Sequence, residues 1–91
     1  MKVLLANFVR DTAPVHARRG LNVFWGRSFA DTFRQLETFR PSLIFLKSAK
    51  NLLETIHLVS MIRNNSAAPI FVVGPSSLIP LMKIFRRAGA T

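Results

Sequence analysis

The chain of 91 residues contains no cysteine, which excludes disulfides and thiolate metal sites and removes any argument for an oxidising compartment. It also lacks a long apolar run. Leu43 to Leu46 and Ile70 to Val73 are far too short to cross a bilayer. The opening MKVLLANFV is interrupted by Arg10 and Asp11 before a signal-peptide apolar region forms, so it reads as a strand. Internal repeats and low-complexity segments are missing as well. These absences give a cytoplasmic, soluble protein with no membrane partner as the expectation. Acids are the last scarcity: four Asp and Glu stand against thirteen Lys and Arg, a formal charge of +9. Such an excess favours contact with something anionic, either an acidic partner or DNA. The cations are scattered, as on a solvated face, with local clusters only at Arg18 and Arg19 and at Lys83, Arg86 and Arg87.

What is present is enough apolar material for a core. Ninety-one residues make a single domain near the lower size limit for folding without staples, and 49% hydrophobic residues with eight phenylalanines compensate for that size. The organising stretch is FRPSLIFLK, Phe39 to Lys47: a proline turn, a strand over Ser42 to Leu46, and a lysine at its end. A run apolar at every position is the mark of a strand buried on both faces, and parallel sheets keep their functional sites at such strand ends.

Read in order, KVLLA (Lys2 to Ala6) is a first strand. Asn7 to Gly20 holds Pro14 and only a short helix or irregular chain, and LNVFW (Leu21 to Trp25) is a second strand. Ser28 with Asp31 three residues on resembles an N-cap with an acidic first turn, opening a helix Phe29 to Phe39 whose Phe29, Phe33 and Leu36 form one stripe. After the third strand, Ser48 is expected to cap a helix over roughly Ala49 to Asn64 in which Leu52, Ile56, Val59 and Ile62 or Arg63 follow helical spacing. IFVVG is the fourth strand. Ser76 or Ser77 caps a last helix, Leu78 to Ala88, with Pro80 in its first turn and Gly89 as its stop. Alternating strands and helices with continuous apolar strands argue for a parallel sheet.

The helix leading into RPSLIFLK, the helix ending in MIRNN, the strand APIFVVG and the closing FRRAGA together resemble the receiver domain of two-component response regulators. The resemblance runs from about Ser28 to Thr91, with KVLLA as its only earlier piece. It implies a flavodoxin-like, three-layer α/β domain over residues 1–91: four parallel strands in the order 2-1-3-4, helices on both faces, and a fifth strand and helix that would lie beyond Thr91. The domain is then truncated or part of a longer regulator, and its open fourth strand calls for a second copy or another segment.

The same resemblance implies lost chemistry. The family's phosphoacceptor aspartate falls on Lys47, its acidic pair on Asn7 and Phe8, and its switch hydroxyl on Gly74, with Ser76 and Ser77 close by. A magnesium site needs carboxylate oxygens, and an acyl phosphate needs a carboxylate nucleophile. The expectation is a pseudo-receiver: no enzyme, no cofactor, no metal, but a signalling or transcription-linked interaction module. Its partner or dimer surface is expected at Ile70, Val72, Met82, Lys83, Arg86 and Arg87. PIFVVGP also resembles the strand and glycine turn of cobalamin-binding domains of the same fold, although Asp11, His16 and Gly20 lack the spacing of the family's histidine motif. Cobalamin or a nucleotide is therefore the alternative ligand.

Other residues carry weaker signals. Lys47 is read as an ion-pair partner for Asp11, as an anion ligand together with Ser48, Ser76 and Ser77 near a helix start, or as a stem packed at the sheet edge with its charge in water. His57 lies one turn from Glu54 and Ser60 and reads as a surface pairing, and His16 as a solvated loop residue. Phe24, Trp25 and Arg27 have the composition of a stacking platform, but strand alternation sends the two rings to opposite faces.

Overall fold

In the computed structural model, residues 1–8 and 22–91 are described. Four strands, β1 (Lys2–Ala6), β2 (Asn22–Gly26), β3 (Leu43–Lys47) and β4 (Ile70–Val73), form one sheet in the order β2-β1-β3-β4, and every pairing is parallel. Three α-helices accompany them: α1 (Phe29–Phe39), α2 (Leu52–Asn65) and α3 (Met82–Ala88). The α/β class, the strand order and the parallel sense all agree with the expectation, and the arrangement is that of a flavodoxin-like fold.

The register explains why each strand is apolar throughout. Leu4 pairs with Phe24 and with Ile44, and Ile44 pairs with Ile70, so one row of side chains crosses the whole sheet. Leu5 pairs with Trp25 and Phe45, and Phe45 with Phe71, making a second row that strand alternation sends to the opposite face. The first face carries the larger core: Leu4, Ala6, Ile44, Leu46 and Ile70 meet Leu36 of α1 and Leu58, Val59 and Ile62 of α2, with Ala88 of α3 against them. The second holds Val3, Leu5 and Phe8 with Trp25 and Phe45 around them.

Residues of all three helices thus pack on one face. The steps β2 to β3 and β3 to β4 run the same way across the sheet, and right-handed crossovers in one direction bring their helices to one side. Helices on both faces were expected; among the described residues they occupy one. The expected irregular or short helical segment after β1 lies outside the described residues.

Local chemistry shifts several boundaries. β2 and β3 each run one residue further than expected, so Lys47 lies inside the ladder, paired with Val73. The N-cap of α1 is as read from the sequence: Ser28 Oγ accepts from the Asp31 N–H at 3.1 Å. The cap of α2 is Asn51 and not Ser48, for Asn51 Oδ1 accepts from the Glu54 N–H at 2.8 Å. The reason lies in Thr55, which is buried and has its hydroxyl satisfied on both sides: it donates to the Asn51 carbonyl at 3.2 Å and accepts from the Ala49 N–H at 2.9 Å. Those bonds hold the chain from Ala49 to Asn51 outside the helix. The buried stripe of α2 is Thr55, Leu58, Val59 and Ile62: Val59 and Ile62 are as expected, while Thr55 and Leu58 take the place of Leu52 and Ile56, which are half-buried.

The last helix is shorter than expected. Ser76–Leu81 is a 3₁₀ segment with no side-chain cap, and α3 begins only at Met82. Pro80 has no N–H to donate to an α-helical ladder, which fits the tighter winding up to that point. The expected capping by Ser76 or Ser77 is therefore not found. Gly89 ends α3 at φ 127°, a backbone region closed to most side chains, and its N–H donates back to the Phe85 and Arg86 carbonyls.

The two cap assignments are separable in solution. Asn51→Ala is expected to lower the stability by about 1 kcal/mol, read as a lower urea midpoint at unchanged slope, while Ser48→Ala stays within about 0.5 kcal/mol. A larger effect at Ser48 would return the cap to that residue.

Candidate functional site

The C-terminal ends of β1, β2 and β3 meet where the strand order reverses, the position at which open α/β sheets form their crevice. Asn7 joins all three. Its backbone sits at φ 64°, a left-handed conformation that asparagine tolerates better than most residues. That twist lets the Asn7 N–H donate to the Gly26 carbonyl at the end of β2, at 2.8 Å, while its side-chain Nδ2 donates to the Lys47 carbonyl at the end of β3, at 3.2 Å. A single residue therefore braces the sheet end from the position where the resembling family carries an acid.

The other expected site residues divide. Phe8 is buried, packed with Val3 and Leu5 in the second core, so its position presents a hydrophobe to the interior. Lys47 is half-buried at the end of β3, and its proposed ion-pair partner Asp11 lies outside the described residues, as do His16 and Gly20. Ser48 and Gly74 are brought together: the Ser48 N–H donates to the Val73 carbonyl at 2.9 Å, and a Cβ on Gly74 would collide with Ser48 and Leu78. The absent side chain at Gly74 is thus what lets the β3 and β4 ends close. Ser76 and Ser77 are exposed in the 3₁₀ segment, and neither is hydrogen-bonded to Lys47.

Beside the brace lies a cleft of about 240 Å³, bounded by Ala6, Asn7, Gly26, Thr32, Leu46 and Leu58, with Arg27, Ser28 and Glu54 completing the wall. Its volume falls below the roughly 300–1,000 Å³ of pockets that enclose drug-sized ligands. Gly26 keeps the cleft wall close, because a Cβ there would overlap Thr32. Among the described residues no group of three His, Cys, Asp or Glu is placed to hold a metal ion. Sequence reasoning misses Thr32 altogether and reads Glu54 only as a surface partner of His57. Thr32 is a polar residue on the buried face of α1, and that position on the helical period was its only available signal.

The mouth of α1 adds one ordered carboxylate. Asp31 accepts from the Arg27 N–H at 3.1 Å and from the Arg34 guanidinium, so those bonds hold its carboxyl below the ordinary value. The Arg27 backbone bond is the larger cause, with Arg34 second. Arg27 itself is exposed at the cleft, while Phe24 stacks on Phe39 with ring centroids 4.0 Å apart and Trp25 packs on the other face. The stacking platform considered for Phe24, Trp25 and Arg27 is therefore split between two cores.

A second, wider groove of about 620 Å³ opens at the opposite end of the sheet, between Arg40, Pro41 and Ser42 on one side and Asn65, Ser66 and Ala68 on the other. None of the expected site residues lines it. Of the expected partner surface, Ile70 is fully buried, Val72 and Met82 are half-buried, and Lys83, Arg86 and Arg87 are exposed. No protein-family model matches this chain, and no curated protein matches it in sequence.

Two substitutions test the geometry of this end. Asn7→Asp keeps the shape and the tolerance of positive φ but turns a donor into an anion facing the Lys47 carbonyl. A loss of about 1–3 kcal/mol at neutral pH is expected by chemical denaturation. Asp31 has a folded-state pKa depressed below the ordinary 3.8, so its contribution is complete above the unfolded value and is lost as pH falls through the folded one. Asp31→Asn should accordingly be destabilising at neutral pH, and the gap to the parent protein should close in acid below the carboxylate range. A gap that stays constant with pH would contradict the assignment.

Proposed function

We propose that this chain is a phosphorylation-independent, receiver-like interaction module, acting with or attached to a signalling or transcription partner and not itself an enzyme. The observation that carries this reading is the Asn7 brace from the end of β1 to the Gly26 and Lys47 carbonyls. Phosphoryl chemistry on an aspartate requires a carboxylate nucleophile and a cluster of oxygens around a hard cation. At this sheet end the corresponding positions are an asparagine bonded through its backbone to the β2 end and through its side chain to the β3 end, a core phenylalanine and a lysine. The strand order and parallel sheet support the receiver-like frame, and the two closely packed neighbours Ser48 and Gly74 leave little space for a moving switch residue. The exposed Lys83, Arg86 and Arg87 and the net charge of +9 support an acidic partner.

The test is direct. After incubation with acetyl phosphate and magnesium, intact-mass measurement is expected to show the unmodified chain alone. A stoichiometric acid-stable adduct that hydroxylamine removes, the signature of an aspartyl phosphate, would overturn the reading.

A further inference from the structure

Two buried threonines differ in how their hydroxyls are satisfied. Thr55 donates to the Asn51 carbonyl and accepts from the Ala49 N–H, so its hydroxyl is bonded on both sides. Thr32 is 3% exposed, yet its hydroxyl makes no hydrogen bond with any described residue. Such a group costs stability unless something enters to bond it. Gly26 shows where the hydroxyl points: a Cβ there would run first into Thr32 Oγ1, across the wall of the 240 Å³ cleft that both residues line. Ala6, Leu46 and Leu58, all buried, give that cleft an apolar floor. Arg27, between β2 and α1, and Glu54, in the first turn of α2, are the exposed charges of its walls. They do not pair with each other, and the one salt bridge among the described residues joins Arg34 to Asp31. Every residue that lines the cleft lies between Ala6 and Leu58.

We propose that this cleft binds a small free α-amino acid as its zwitterion, with the carboxylate toward Arg27, the ammonium toward Glu54 and a short apolar side chain on the floor. One cation, one anion and an apolar surface in a single cleft match the three parts of that ligand. The Thr32 hydroxyl both donates and accepts, so it can bond either end of the charged head. Size points the same way. At the roughly 30 Å³ that a water molecule takes in the liquid, 240 Å³ corresponds to about eight non-hydrogen atoms, the size of valine. Simpler ligands fit the charges less well. An inorganic anion would face the Glu54 carboxylate, and a bare metal ion finds no group of three His, Cys, Asp or Glu among the described residues. The site needs neither phosphate nor a protein partner, so it stands apart from the module reading and gives the domain a small molecule to respond to.

The experiment is a chemical-shift titration of the full, isotope-labelled chain at neutral pH with three probes. L-valine carries both charges, 3-methylbutanoate lacks the ammonium, and isobutylamine lacks the carboxylate. Valine is expected to saturate with a Kd on the order of 1 mM, shifting the Gly26 and Thr32 amides and the Ala6, Leu46 and Leu58 methyls. Each half-charged probe should bind at least about tenfold more weakly. Glu54→Gln should weaken valine about tenfold without weakening 3-methylbutanoate, whereas Arg27→Ala should weaken both. Both residues are exposed, so the native amide spectrum is expected to survive either change. Thr32→Val, which keeps the shape and removes the hydroxyl, should also weaken valine; if it unfolds the chain, the two charge variants carry the test. No saturable shift at the cleft with up to about 50 mM valine, equal binding of the three probes, or valine binding unmoved by both charge variants would each overturn the proposal. Because the phosphate test reads a different property, any of these results leaves the module reading as it was.

Discussion

Everything in this domain depends on β1 being hydrogen-bonded on both sides and covered on both faces. Val3, Leu4, Leu5 and Ala6 are each at most 1% exposed, so none of these four positions has room for a solvated polar side chain, and only Lys2 at the strand's start is exposed. In a parallel sheet each neighbour must be reached by a crossover, and the fixed hand of those crossovers leaves few ways to place strands on either side of β1. Once β2 and β3 flank it, their carboxyl ends converge on the residue after Ala6. That residue must turn the chain away from the sheet while satisfying carbonyls that the strands leave open. Asn7 meets both demands, through a left-handed backbone and an amide donor. The bracing of the site and the closure of the sheet therefore have one origin.

The strands were legible in the sequence because burial on both faces produces runs such as KVLLA and IFVV that no amphipathic helix would show. The strand order was legible too, given the alternation of elements and their resemblance. The helix starts were only half so. Ser28 announces its helix because the cap and its acidic partner are the only polar pair there. Ser48 and Asn51 are both capable caps, and what decides between them is the hydroxyl of Thr55, whose two bonds reach back to Ala49 and Asn51. A choice made by a buried threonine one to two turns downstream leaves no mark in local spacing.

The site was legible as a set of positions and not as a geometry. Lys47, Asn7, Phe8 and Gly74 fall at strand ends, as expected, but only tertiary structure pairs the Asn7 amide with a carbonyl forty residues away. It also separates Phe8, which the core absorbs, from Asn7, which stays at the surface. Ser76 and Ser77 looked like caps because of composition, and the proline at position 80 favours the 3₁₀ winding that removes that role. The groove beside Arg40 had no signal at all. It arises because Arg40 ends α1 in a left-handed conformation, φ 46°, at a residue whose type does not advertise it.

The scarcity of acids then connects the two ends of the structure. A sheet end that performs phosphoryl chemistry concentrates carboxylates, which would offset part of the cationic surface. Here those positions hold an amide, a phenylalanine and a lysine, so the imbalance of thirteen cations to four acids is left uncompensated. A domain with an open strand edge is exposed to pairing with its own copies, and like charge is one of the general defences against it. Thr91 supplies the other by occupying Ile70, the first outward rung of β4.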